Sequence, residues 1–209
     1  MQLWLVRHAP PVVATGTCYG MLDMPAESAP TLACAQRLGQ ALPGPALVWH
    51  SPLQRCAQLA QAVQATRPDW QPRPDARLRE MNFGAWEGCA WSSLAKTDID
   101  AWTADFAHHL PGGGEPLAEM LERVAQALQD TRAAARAAGL AHAVWLTHAG
   151  VARCVDWLLR HGNNATPHAD QWPVHAPAWG EWDTVDLGQE RAPSIGKIPT
   201  DRRVSRSKP

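Results

Sequence analysis

Two short apolar runs, each ending abruptly on a histidine, constrain this chain more than any other feature. Leu3-Trp4-Leu5-Val6 leads into Arg7-His8-Ala9, and Val144-Trp145-Leu146-Thr147 leads into His148-Ala149-Gly150. About four consecutive apolar residues bounded by turn formers read as a strand buried on both faces, as in a parallel sheet covered by helices. The carboxyl ends of such strands line the ligand crevice of open α/β sheets, so both histidines are expected at that edge.

The rest of the chain alternates strand and helix signals. Residues 31–42 carry Leu32, Ala35, Leu38 and Leu42 at helical spacing, and Pro43-Gly44 stops them. A second strand over 46–49 runs into His50-Ser51-Pro52. Ser51 as N-cap and Pro52 as first helical residue predict a helix over 53–65, with Arg55 in its first turn beside the strand edge. Residues 68–74 read as a loop, and 91–110 as one or two helices forming a cover. Pro116 opens the longest helix, whose stripe is Leu117, Leu121, Val124 and Leu128 and which Gly139 closes. A helix over 151–161 and a last strand over 181–187 complete the pattern. The expectation is a three-layer α/β/α sandwich with a mostly parallel central sheet and a helical cover over the site.

The 209 residues, 45% hydrophobic, fit one domain, expected over 1–189. Residues 190–209 hold six Lys/Arg against two acids and little apolar content, and read as a basic, disordered tail. The body has no basic stripe, which argues against a nucleic-acid partner. No apolar stretch approaches the roughly 20 residues that span a bilayer, and the first strand begins at Met1, so a cytoplasmic location without a membrane partner is expected. Five scattered cysteines without a Cys-x-x-Cys pair point to reduced thiols, not a disulfide framework or zinc site. A homodimer stays an open option.

These residues suit phosphoryl transfer. Cleaving a phosphate monoester takes a nucleophile, cations around the equatorial oxygens and an acid for the leaving oxygen. His8 can attack phosphorus as a neutral imidazole. Arg7 and Arg55 supply planar donors that match phosphate geometry, His148 adds a cation if protonated, and the Ala149-Gly150 amides add an anion-binding turn. These groups could replace a metal ion, and no strong metal-ligand spacing is present, so neither metal nor cofactor is expected. The acid is Glu80 or Glu87, which flank Phe83 and Trp86.

At this point the chain resembles the histidine phosphatase (phosphoglycerate-mutase-like) superfamily, from residue 3 to about 187. Leu5-Val6-Arg7-His8 is similar to its nucleophile motif and Ser51-Pro52-Leu53-Gln54-Arg55-Cys56 to its second-arginine motif. Leu78-Arg79-Glu80-Met81-Asn82-Phe83-Gly84-Ala85-Trp86-Glu87-Gly88 resembles the acid motif, and Thr147-His148-Ala149-Gly150 the second-histidine motif. The resemblance implies that Glu80 is the proton donor, with His8, Arg7, Arg55 and His148 around the phosphoryl group. The segment Gly16-x-Cys18-Tyr19-Gly20-x-x-Asp23-x-Pro25, and Pro111-Gly112-Gly113-Gly114-Glu115 before a helix, resemble the α-ribazole phosphatase branch. That implies a small-molecule phosphate ester as substrate, removal of the 5′-phosphate of α-ribazole 5′-phosphate or the cobalamin phosphate without a metal, and Tyr19 and Gly20 near the substrate. A broad sugar-phosphate phosphatase is the runner-up. A mutase or a catalytically silent phosphate binder ranks lower. Ala9 departs from the glycine usual after the nucleophile, and Pro10-Pro11 alter the following loop.

Other residues have two readings. Tyr19 and Trp86 could stack on a flat leaving group, though Trp86 is as well explained by packing. His50 fits a surface strand end better than a substrate contact. Glu115 is a helix-start charge or a substrate contact in equal measure. Asp23 could orient its loop through an Asx turn. The run 167–182 carries no usable motif.

Overall fold

The computed structural model describes residues 1–42 and 44–188; the expected tail over 190–209 lies outside them. Five strands form one sheet: β1 (Gln2–Arg7), β2 (Leu47–His50), β3 (Arg73–Pro74), β4 (His142–Thr147) and β5 (Trp182–Asp186). Their order is β3-β2-β4-β1-β5, parallel except for β5, which runs antiparallel to β1. β1 and β4 pair in register from Gln2↔His142 to Arg7↔Thr147, so His8 and His148 emerge together at the carboxyl edge.

The period-2 alternation of each strand divides the core. Leu3, Leu5, Ala143 and Trp145 pack on one face against α4 (Leu117–Ala138) and α5 (Ala149–His161). Val6, Val48, Val144 and Leu146 pack on the other against α1 (Ser28–Ala41) and α2 (Gln54–Thr66). This is the expected three-layer architecture. The cover is the short helix α3 (Lys96–Ala104), preceded by a 3-10 turn at Trp91–Ser93. No residue of α3 is fully buried; Trp102 stacks on Trp91 and Phe106 and so ties the helix down through rings.

The sequence rules place α4 well. Its stripe Leu117, Leu121, Val124 and Leu128 is buried, and Gly139 closes it at φ 64°. Elsewhere tertiary contacts override local signals. α1 starts at Ser28; Ala35, Leu38 and Leu42 of the expected stripe are buried, joined by Thr31 and Cys34, while Leu32 is 56% exposed. Ser51 is not the N-cap of α2: Leu53 holds that position in an extended conformation. Asp23 caps the helix from a distance, its Oδ1 accepting the Gln54 amide at 2.6 Å. The carboxylate thus satisfies an orphan N–H and sits at the positive end of the helix dipole. α5 starts directly after His148 rather than at Val151, and β3 arises within the expected 68–74 loop.

Asp23→Ala is expected to cost about 1 kcal/mol of stability. Urea unfolding measures it, and a midpoint matching wild type would show that the cap contributes nothing.

Candidate active site

His8 is 2% exposed at the end of β1. Its Nδ1 lies 2.7 Å from the Ala9 carbonyl, which can only accept, so Nδ1 carries the ring proton. Burial, reinforced by the charges of Arg55 and Arg7, lowers the His8 pKa to about 3. The ring is therefore neutral, with the lone pair on Nε2. Arg55 Nε donates to that atom at 3.3 Å. Ala9 is tolerated after His8 because no non-glycine residue among those described has positive φ.

Arg55 is fully buried from the start of α2. Its Nη1 and Nη2 donate to the carbonyls of Leu22 and Gly20 at 2.9 and 2.6 Å, and its guanidinium lies 5.5 Å from the Tyr19 ring centroid. Gly20 thus serves the site through a carbonyl that holds the arginine and does not line the cavity. A Cβ there would meet the Met81 carbonyl at 1.8 Å, so only glycine lets this loop approach the acid turn. Arg7 donates to the Pro177 carbonyl at 3.1 Å and lies over the Trp179 ring. Among the described residues, neither Arg7 nor Arg55 has a carboxylate within ion-pair distance.

His148, beside His8 with ring centroids 5.1 Å apart, is 1% exposed. Burial, with Arg55 the largest charge acting on it, holds its pKa well below the ordinary histidine range, so in the free site it is neutral and not the cation considered from sequence. The Ser51 hydroxyl explains its own absence as a helix cap: it accepts the Leu53 amide at 3.3 Å and lies 2.8 Å from His148 Nε2.

The structure places the two glutamates differently. Glu80 lines the cavity with Arg7 and His8. Its Oε2 accepts the Gly150 amide at 3.0 Å and its Oε1 the Met81 amide at 3.1 Å. The Gly150 amide is therefore committed to Glu80 and is not the free anion donor expected at the Ala149-Gly150 turn, although Ala149 does line the cavity. A Cβ on Gly150 would sit 2.0 Å from Glu80 Oε1. Glu87 lies outside the cavity lining and pins two segments, its Oε1 accepting the amides of Met21 and Phe83 at 2.8 and 2.9 Å.

The sequence reading missed the residues that hold the acid turn and Arg7. Arg123 on α4 donates to the carbonyls of Arg77, Arg79 and Glu80 and pairs with Glu115, which in turn accepts the Asn82 amide. Glu115 is thus a structural partner, not a substrate contact. Residues 177–181 support Arg7 through backbone groups, which leave no motif.

The cavity over His8 measures about 480 Å³, and Tyr19, Phe83, Trp91, Trp102, Phe106 and Trp172 line it. Arg55 and His148 stay behind its wall, and Trp86 is buried and outside the lining. The packing role weighed for Trp86 is what it does here, whereas Trp91, Trp102 and Trp172 line the cavity. A second cavity of about 500 Å³ lies against β5 and contains none of the candidate residues. Among the described residues, no group of three or more His, Cys, Asp or Glu could hold a metal ion, and no helix is long and apolar enough to cross a membrane.

Residues 3–175 match the profile of the histidine phosphatase superfamily (branch 1), and the chain belongs to that superfamily. It is 27% identical over 197 residues to the adenosylcobalamin/α-ribazole phosphatase of Salmonella typhi, covering 90% of this chain and 91% of that protein. It is 28% identical over 174 residues to a metal-independent phosphoserine phosphatase of Arabidopsis thaliana, covering 78% of this chain and 71% of that one. A solved phosphoglycerate mutase from Thermus thermophilus superposes with a TM-score of 0.62 at 33% identity, covering 90% of this chain and 94% of that one.

Two results are expected. Both histidines are depressed in the folded state, so the unfolded chain binds more protons below its ordinary pKa of about 6.5, and stability falls as pH drops through that value. His8 alone should cost about 2 kcal/mol between pH 7.5 and 5, read from urea midpoints, and His8→Asn should flatten part of the slope; equal slopes would refute the burial effect. Gly150→Ala should displace Glu80 and lower kcat on the order of 10²-fold with the fold intact by circular dichroism.

Proposed function

We propose that the protein is a metal-independent phosphomonoesterase that works through a phosphohistidine on His8, with α-ribazole 5′-phosphate or the corresponding cobalamin phosphate as substrate. The observation that carries the catalytic part is the neutral, tautomer-fixed His8, flanked by two arginines without carboxylate partners and placed in one cavity with Glu80. His8 Nε2 attacks phosphorus, and the bond to the leaving oxygen breaks as Glu80 gives it a proton. Arg7 meets the charge on the equatorial oxygens, Arg55 adds its positive field from behind the cavity wall, and the incoming dianion favours protonation of His148. Water then attacks the phosphohistidine while Glu80 takes its proton, and inorganic phosphate leaves His8 free. The aromatic lining supports a flat leaving group, in keeping with the benzimidazole of α-ribazole and with the name of the Salmonella relative.

Phosphate release in EDTA from α-ribazole 5′-phosphate and from an aryl phosphate, for wild type and His8→Ala, is the test. Ribazole-ester turnover that His8→Ala abolishes supports the whole reading. Turnover of the aryl ester alone reassigns the substrate. Absence of His8-dependent release would leave a silent phosphate binder.

A further inference from the structure

Behind the cavity wall three buried side chains meet: Ser51, just after β2, Cys56 in α2, and His148, just after β4. The Ser51 hydroxyl lies 2.8 Å from His148 Nε2, and the Cys56 sulfur lies 3.5 Å from the same nitrogen. Cys56 also hydrogen-bonds the Ser51 hydroxyl, and its own S–H reaches the Thr147 carbonyl at 3.5 Å. The reaction above uses His148 and leaves the other two idle.

Counting protons assigns the roles. Ser51 Oγ accepts the Leu53 amide at 3.3 Å and still has its own hydrogen to give. A buried hydroxyl hydrogen without an acceptor is costly. Within its reach are a ring nitrogen and a thiol sulfur, and the nitrogen lone pair is the stronger acceptor. Ser51 therefore donates to Nε2, which leaves the proton of neutral His148 on Nδ1. The Ala9 carbonyl selects the tautomer of His8 in a similar way.

A charged His148 makes the opposite demand. As a dianion enters and the ring takes up a proton from solvent, Nε2 becomes a donor that needs an acceptor. The groups acting on His148 are Arg55 and Cys56 from α2, Arg7 and His8 at the end of β1, and Arg123 from α4. Three are cations, His8 is neutral, and burial pushes the Cys56 thiol up to about 12, so none brings negative charge. Ser51 Oγ can meet the demand: its two lone pairs take the Leu53 amide and the His148 Nε2–H, while its hydrogen turns to the Cys56 sulfur. Each of these groups is then paired in both charge states, and the ring does not have to move.

We propose that Ser51 is a positioning residue, whose hydroxyl holds His148 and changes from donor to acceptor when the incoming phosphoryl group charges that ring. This deepens the phosphatase reading above and rests on it. An acceptor favours the charged ring, so Ser51 extends activity to higher pH.

Two measurements test this. Nitrogen-15 NMR of the imidazoles, with His148 assigned by its loss in His148→Asn, reads which nitrogen carries a proton. In wild type near neutral pH, Nδ1 should be protonated and Nε2 bare, and saturating inorganic phosphate should protonate both. Ser51→Ala should mix the tautomers of the free protein and lower the charged fraction under phosphate. A proton on Nε2 in the free wild type, or a Ser51→Ala spectrum that matches wild type, would overturn the proposal. The second measurement is the pH profile of kcat in EDTA, on whichever of the two esters above turns over faster. The alkaline limb should move down by about one pH unit in Ser51→Ala, equivalent to an about tenfold loss at its upper end, and Ser51→Thr, which keeps the hydroxyl, should restore it. An equal fall at every pH would overturn the proposal, because Ser51 would then serve only the Leu53 amide and the start of the helix that carries Arg55. The phosphatase reading fails by a different signature, release that is absent in wild type or persists in His8→Ala, and the NMR arm reads Ser51 and His148 in either case.

Discussion

The site depends first on the in-register parallel pairing of β1 with β4. Arg7 faces Thr147 across the ladder, and the His8 amide donates to the Thr147 carbonyl at 3.1 Å. Two histidines far apart in the chain are thereby fixed as neighbours by backbone hydrogen bonds. A slip of one residue would turn His8 and every buried strand side chain to the opposite face. Both layers of core resist such a slip, since Leu3 and Leu5 are committed to one set of helices and Val6 to the other.

Around that pair the charges are organised by desolvation more than by ion pairing. Arg55 is buried with carbonyls and a neutral imidazole as partners, an arrangement that keeps its charge uncompensated until an anion arrives. The same burial, reinforced by the guanidinium charges nearby, keeps both histidines uncharged, so His8 retains its lone pair. On the other wall, Arg123 is compensated by Glu115, and its work is mechanical: it gathers three carbonyls of the acid turn and so sets where Glu80 stands.

What could be read from sequence follows from how local the cause is. β1, β4 and α4 were legible because apolar runs, a helical stripe and a closing glycine are all written within a few residues of their effect. The candidate histidines and Glu80 were legible as ordered motifs, and the structure brings them to one place. Ser51 was misread because Ser-Pro is a sound local capping signal, yet its hydroxyl is engaged with His148 and the Leu53 amide while Asp23 caps the helix from a distant loop. The Arg123–Glu115 brace looks in sequence like two solvated charges flanking the start of a long helix. The aromatic cavity had a faint signal in Trp102 and Phe106, one helical turn apart, which only the fold joins to Trp91 and Trp172.

The support under Arg7 carries a consequence for where this domain functionally ends. The superfamily profile matches residues 3–175. Arg7, however, rests on the carbonyl of Pro177 and the ring of Trp179, and Gly180 donates its amide to the carbonyls of Arg7 and His8. Arg37 on α1 clasps the same stretch through Gly180 and Glu181. The segment beyond that match is therefore the buttress of the strand that carries Arg7 and leads into His8. It fastens largely through main-chain groups, so its amino acids are free to diverge while its path is not.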